Sequence, residues 1–393
     1  MSKVYQKAIF SVAHTDMRVP PFNNHGRTLR VTAESNTDAY AISVRFSNRY
    51  GDKPLSVGAA SLALCNVHGE LVPNTLIPLT VGGVLDFVLE PGMDLVSDRV
   101  RFPLMPGDTL ALNIYYPTDE KVISGNWVGS GALRSRFGNF SADIRLPGPN
   151  LVSRFARTVA ASDMTVMTTS VAEIIAHSST PGCVVGCFGD SITQQSNWTA
   201  PLSKLLYHTY PGKISVCNLG VSGNRLLANS PPSLGVLNGM AGIDRYQWDL
   251  LPLHGLTHAI LEIGTNDIGI PGSHGAPDSD LITAQQYMQS MQKIAEDLHS
   301  RGVRVYVATL PPRPIARPYT EDREVLRKQI NDLLRTSHAF DAILDFDAVL
   351  RREDGKPGMR EGCALPDGLH PSPYGGLLIA KSINLSLFGG CNT

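Results

Sequence analysis

The chain has 393 residues, 42% of them apolar and 18% charged, a composition typical of a folded, water-exposed protein and a length that suits two domains. Its formal net charge of -1 gives no electrostatic reason to bind nucleic acid or an anionic membrane. No apolar run approaches the roughly 20 residues that span a bilayer, so no integral membrane association is expected.

The opening segment, Met1 to Lys7, is not followed by the apolar stretch of a secretory signal. The expectation is therefore a cytoplasmic protein, or a secreted one if a leader has been removed. Six cysteines (Cys65, Cys183, Cys187, Cys217, Cys363 and Cys391) are scattered rather than spaced as a framework. Cys183 and Cys187 share an apolar run that reads as a strand. Four residues of strand cover roughly 13 Å, which is beyond disulfide reach, so both are expected to be buried thiols. No Cys/His cluster has zinc-site spacing, and no metal is expected.

Up to about residue 170 the pattern is all-β. Short, nearly alternating segments at 28–33, 41–46 and 109–116 are separated by turn clusters at 48–52, 91–94 and 106–108. Regular short strands with turn signals imply a β-sandwich or jelly roll. From about residue 182 the rhythm becomes strand, helix, strand. Apolar strands are expected at 183–188, 214–219, 257–263, 303–310 and 342–346, and the clearest helices at 283–300 and 320–337. In the first helix Tyr287, Met288, Met291, Ile294, Ala295 and Leu298 recur at helical spacing. Apolar strands alternating with amphipathic helices imply a parallel sheet covered on both faces, hence an α/β domain. The expected division is an all-β domain over 1–175 and an α/β domain over 182–393.

In such sheets the working residues lie beyond the carboxyl ends of the strands. Four segments fall there. The first is Gly189-Asp190-Ser191-Ile192-Thr193, which places a serine hydroxyl at a helix start. An Asp-Ser pair can equally be a plain helix cap, and Thr193 stands where a G-x-S-x-G elbow has its second glycine. Asp190 is expected to shape the turn through backbone amides rather than to catalyse. The second segment runs from Asn218 through Gly223 to Arg225, and the third is Gly264-Thr265-Asn266-Asp267. Glycine lets a backbone N–H approach a substrate oxygen, and an asparagine can aim its amide at the same space; either segment alone is also an ordinary turn. The fourth is Pro366-Asp367-Gly368-Leu369-His370-Pro371. Asp and His three residues apart in one turn let the carboxylate hold one imidazole nitrogen and leave the other to take a proton from a serine.

In this order the four segments resemble the SGNH, or GDSL-type, serine esterases and acylhydrolases, with Ile192 where the name-giving motif has leucine. The resemblance covers about 182–388 and implies a flavodoxin-like three-layer α/β/α fold with strand order 2-1-3-4-5. It further implies Ser191 as nucleophile, His370 as general base and Asp367 as its orienting acid. The implied oxyanion hole is the backbone N–H of Ser191 and of Gly223 with the side-chain amide of Asn266, and no cofactor is needed. Residues 46–60 resemble a β-domain that precedes the catalytic domain in a group of bacterial members.

The partner implied is a small-molecule or carbohydrate ester. A carbohydrate O-acetyl esterase or short-chain esterase leads, with Trp127, Tyr115 or Tyr116 able to meet a sugar or simply to pack in the core. A lipase or lysophospholipase is the alternative, which predicts an apolar channel lined from 225–240. A catalytically inactive carbohydrate-binding protein is the reading from another class. Arg225 is placed to bind a polar group beside the ester, or to pair with Asp244 or Asp267 and hold its loop. His254, His258, His274 and His299 have no acid at useful sequence spacing and are expected to be ordinary.

Overall fold

The structure is a computed structural model that describes residues 3–18, 26–66, 69–117, 122–128, 133–146, 165–167, 170–234 and 237–391. The chain divides into two compact units. The first comprises Met1–Val184, Tyr210–Cys217 and Gly390–Thr393; the second comprises Val185–Thr209 and Asn218–Gly389.

The first unit is mostly antiparallel β. Its principal strands are β1 (Tyr5–Ser11), β2 (Arg27–Glu34), β3 (Ala39–Ser47), β4 (Ala59–Cys65), β5 (Ile77–Leu79), β6 (Val100–Leu104), β7 (Thr109–Tyr116), β8 (Leu133–Phe137) and β9 (Val171–Ser178). One sheet has the order β1-β9-β3-β6 and another the order β8-β2-β7-β4-β5. In β7, Leu110, Leu112, Ile114 and Tyr116 alternate into a shared apolar core with Ile42, Val44 and Phe46 of β3. Residues from both sheets meet in that core, which makes the unit a sandwich. The alternation visible in 109–116 is thus the pleat of a strand with one face in the core. Tyr116 is buried and its hydroxyl bonds Ser170 at 2.9 Å, so it is a core residue; Tyr115 is half-buried, and the Trp127 side chain lies outside the described residues.

The second unit contains most of a five-stranded sheet whose strands are β10 (Cys183–Gly189), β11 (Ile214–Gly220), β12 (Leu256–Glu262), β13 (Arg304–Ala308) and β14 (Ala342–Leu344). Its order, β11-β10-β12-β13-β14, is the expected 2-1-3-4-5. The strands β12, β13 and β14 pair in parallel, with Ile260 opposite Tyr306 and Val307 opposite Ile343. All seven residues of β10 are buried, as a central strand covered on both faces requires. The helices are α1 (Ser191–Gln194), α2 (Thr199–Thr209), α3 (Gly242–Asp249), α4 (Thr265–Gly269), α5 (Ala284–Ser300), α6 (Glu321–Thr336), α7 (Phe346–Leu350) and α8 (Pro373–Ser382). Helix α5 starts on a full capping box, Thr283 and Gln286, and buries the expected stripe from Tyr287 to Leu298. The strand order reverses between β10 and β12, and the loops there are where α/β sheets bind ligands.

The expectation for Cys183 is overturned. It forms a disulfide with Cys391, 208 residues away, with the Cα atoms 5.4 Å apart. Cys187, Cys65, Cys217 and Cys363 are buried and are not disulfide-bonded. The strand argument excluded the near partner correctly and said nothing of a distant one. His299 also departs from expectation: its Nε2 meets Asp341 at 2.8 Å, across 42 residues of sequence.

Candidate active site

Strand β10 delivers Ser191 through a turn with little free space. A Cβ at Gly189 would collide with the Glu262 carbonyl and the Thr193 side chain. Asp190 caps α1, its Oδ1 accepting from the Ile192 N–H at 3.0 Å, so it does shape the turn. Ser191, at the first position of α1, is 6% exposed.

The turn after residue 364 builds the other half. Gly368 takes a φ of +70°, a conformation glycine adopts without steric cost. Leu365 donates its N–H to the His370 carbonyl at 2.8 Å, which closes the turn. Within it, Asp367 Oδ1 accepts the N–H groups of Leu369 and His370 at 2.9 and 3.0 Å, and Oδ2 accepts from His370 Nδ1 at 2.6 Å. With Nδ1–H committed to the carboxylate, Nε2 is the acceptor for the Ser191 hydroxyl, at 2.8 Å. Burial alone would push the Asp367 carboxyl up, but the hydrogen bond and charge of His370 and the two backbone N–H groups hold it down at about 2.

Gly223 has a φ of +68°, and a Cβ there would run into the Asn238 amide. The next residue, Asn224, donates to the carbonyls of Asn238 and Met240, both at 2.7 Å. Asn266, in the first turn of α4, donates from Nδ2 to the Asn224 carbonyl at 3.0 Å and to Asp190 Oδ2 at 3.3 Å. Ser191, Asp367 and His370 therefore form one hydrogen-bonded chain. Asn266 is tied to the immediate neighbours of Ser191 and Gly223.

Two further parts have no signal in local sequence. Arg245, on α3 and 2% exposed, donates to the carbonyls of Gly189 at 2.7 Å and Leu219 at 3.1 Å and to Asn224 Oδ1 at 2.7 Å. One guanidinium thus ties the ends of β10 and β11 to the Gly223 loop. The second is a set of buried acids. Burial pushes the Asp190 carboxyl up to about 7, against relief from the Ile192 N–H and from His370. Burial also raises Glu262 well above its usual range, with Asp190 adding repulsion, while Thr193 donates to it at 2.9 Å. Asp267 is raised to about 6 by burial and accepts the N–H groups of Leu226 and Leu227 at 2.7 and 2.9 Å.

Arg225 is 4% exposed, bonds Asp280 at 2.8 Å and donates twice to the Asn229 carbonyl. Its acid is thus neither Asp244 nor Asp267, and Asp267 holds the same loop through its backbone instead. Leu226 is fully buried and Met240 exposed, so the loop does not present all its apolar side chains to one channel. Among the described residues no group of three or more His, Cys, Asp or Glu could hold a metal, and no helix is long and apolar enough to cross a membrane.

Residues 187–376 match the sequence profile of the GDSL-like lipase/acylhydrolase family. This segment is a GDSL-like acylhydrolase domain. The chain is accordingly a carboxylic ester hydrolase, with a β-sandwich unit ahead of that domain. Several solved structures resemble the acylhydrolase half. An acetyl xylan esterase from Geobacillus stearothermophilus is 16% identical, with 52% of this chain and 93% of that one covered and a TM-score of 0.40. A carbohydrate acetylesterase family member from Sinorhizobium meliloti is 17% identical, covering 51% and 94%, with a TM-score of 0.37. A GDSL-like lipase from Bacteroides thetaiotaomicron is 14% identical, covering 50% and 84%, with a TM-score of 0.35. At these values none assigns a substrate. A comparison with curated protein sequences found no match.

Proposed function

We propose that the acylhydrolase domain cleaves carboxylic esters through an acyl-enzyme on Ser191, with His370 as general base and Asp367 as its orienting acid. The observation that carries this reading is the continuous chain from Asp367 through His370 to the Ser191 hydroxyl, at 2.6 and 2.8 Å. As Ser191 Oγ attacks the ester carbonyl carbon, its proton passes to His370 Nε2, and Asp367 stabilises the imidazolium that forms. The carbonyl oxygen becomes an oxyanion facing the N–H groups of Ser191 and Gly223 and the amide of Asn266. Collapse expels the alcohol, which takes the proton from His370. Water activated by His370 then releases the acid and restores the serine.

For the substrate we propose a short-chain ester of a polar alcohol, a carbohydrate O-acetyl ester being the leading case. Support comes from Asn266, the polar side chain beside the triad that keeps some exposure, whereas Asp190 and Asn224 are fully buried and hold the loops. Polar surroundings favour a hydroxyl-rich leaving group over a long acyl chain. We propose also that the protein works in an oxidising compartment, because the Cys183–Cys391 bridge would not persist among cytosolic reductants.

Wild type and Ser191→Ala should be compared on p-nitrophenyl acetate, p-nitrophenyl octanoate and an acetylated xylo-oligosaccharide. The expected result is turnover of the acetyl esters that falls in the variant by on the order of 10⁴-fold or more in kcat. Undiminished turnover in Ser191→Ala would remove the proposed nucleophile. A preference for octanoate would move the substrate to lipids.

A further inference from the structure

The segment after β13 runs Leu310-Pro311-Pro312-Arg313-Pro314-Ile315-Ala316-Arg317-Pro318-Tyr319. Proline restricts the backbone at four of these ten positions. Leu310 is clamped at both backbone groups: its N–H donates to Asn331 at 2.8 Å, and its carbonyl accepts from Asn331 at 2.9 Å and Arg327 at 2.7 Å. At the far end Tyr319 is 1% exposed, and its hydroxyl donates to Glu324 at 2.7 Å. Between these anchors the Arg313 guanidinium lies over the Tyr319 ring, 4.4 Å from its centroid. A stacked guanidinium on a fixed ring has little rotamer freedom left to lose on binding.

This arginine has neither a carboxylate ion pair nor a hydrogen-bond acceptor among the described residues, and its Nε is buried without a partner.. Its place is defined by two glycines of the site. A Cβ at Gly269, in the helix that begins beside Asn266, would collide with Arg313 Nη1. A Cβ at Gly368, in the Asp367–His370 turn, would lie 2.9 Å from Cγ of the adjoining Pro314. Arg313 therefore stands between the Asn266 helix and the His370 turn. The carboxylates of Asp190 and Asp367 are near enough to act on its charge, yet their recorded hydrogen bonds go to other groups. A partly buried cation without a counter-ion is costly unless something supplies one. The planar fork of a guanidinium matches a carboxylate in two parallel hydrogen bonds.

We propose that Arg313 receives a carboxylate carried by the ester substrate, so that the site selects anionic esters. The proposal rests on the ester-hydrolase reading and specifies its substrate class. The carboxylate can sit on the acyl part or on the alcohol part, and two probe pairs separate these sources. One pair is 4-nitrophenyl hydrogen glutarate against 4-nitrophenyl butyrate; the other is 3-acetoxybenzoate against methyl 3-acetoxybenzoate.

Wild type should prefer the acid in one pair by about 10- to 100-fold in kcat/KM, the range expected for hydrogen bonds to a charged group. Arg313→Met should bring that ratio close to one, and Arg313→Lys should keep part of it. The neutral ester is measured on the same preparation, so a loss of folded enzyme cancels in the ratio. A ratio near one in wild type for both pairs, or a preference that survives Arg313→Met, overturns the proposal while leaving the hydrolase intact. If no ester is turned over, the hydrolase reading fails on its own. Calorimetric binding of 3-acetoxybenzoate and its methyl ester to Ser191→Ala then decides. Tighter binding of the acid, abolished by adding Arg313→Met, supports the anion site, and equal binding overturns it.

Discussion

Arg30 in the sandwich and Arg313 in the acylhydrolase domain show two uses of a guanidinium held inside a protein. Arg30 has no solvent exposure and donates to Asn113 at 2.6 Å and to the carbonyls of Gly69, Asp143 and Ile144 at 3.2, 2.6 and 3.0 Å. Arg313 is stacked and fixed in place, but no acceptor for it stands among the described residues. The same contrast holds for acids. Glu173 in the sandwich is fully buried against Arg45 at 3.0 Å, whereas Glu262 beside the Ser191 turn has one buried oxygen without a hydrogen bond. Satisfied buried polar groups fix a structure. Unsatisfied ones cost stability, and each calls for an explanation.

The largest effect should follow from breaking the satisfied side. Arg30→Met leaves the Asn113 oxygen and three carbonyls without their donor, and should cost about 3–5 kcal/mol in urea unfolding. Its kcat per folded molecule should change less than about twofold, because Arg30 supplies nothing to the proposed chemistry. Asn266→Ala should invert that pattern. Loss of one oxyanion donor is expected to lower kcat by about 100- to 1,000-fold, near 3 kcal/mol, with a smaller loss of stability. Stability losses of equal size in the two variants would break the contrast.

Covalent linkage gives a further contrast, between a far-reaching tie and local ones. Cys391→Ser opens a loop of about 200 residues and should cost about 2–4 kcal/mol of stability. Titration of the denatured, unreduced protein should find the four thiols outside the bridge, and all six after reduction.

The last contrast concerns pH. The Asp190 carboxyl is raised from its ordinary 3.8 to about 7 by burial. Between those values the native state holds a proton that the unfolded chain has lost, so this group's contribution to stability falls as pH rises from about 4 to 7. Wild type should lose stability relative to Asp190→Asn over that window in urea unfolding. An unchanged difference between the two proteins from pH 4 to 7 would mean that Asp190 ionises freely in the fold.

Much of the fold was legible because it rests on local pattern. The apolar run at 183–188 had to be a buried strand, and the stripe from Tyr287 to Leu298 had to face a core. The run at 342–346 is instead a half-buried edge strand over Ala342–Leu344 only, with helix α7 starting at Phe346. The candidate site was legible because Asp367 and His370 meet within a single turn and Ser191 follows a strand directly. What stayed hidden depends on distance along the chain. Nothing near Cys183 points to Cys391, nothing near Arg225 selects Asp280 over Asp244 or Asp267, and His299 finds Asp341 only after folding. Arg245 and Arg313 carry no local sign of their places, which lie in the carbonyls one gathers and in the acceptors the other lacks among the described residues. Short helices such as α2 and α3 lacked a long enough apolar stripe to announce themselves.

The central claim is that Ser191 is a nucleophile activated through His370 and Asp367. Its most direct test is covalent capture with a p-nitrophenyl alkylphosphonate followed by peptide mass analysis. The account predicts stoichiometric release of nitrophenol, one phosphonyl adduct on the peptide containing Ser191, and capture slowed at least about 1,000-fold in His370→Ala. An adduct on another residue, or equal capture by wild type and His370→Ala, would contradict it.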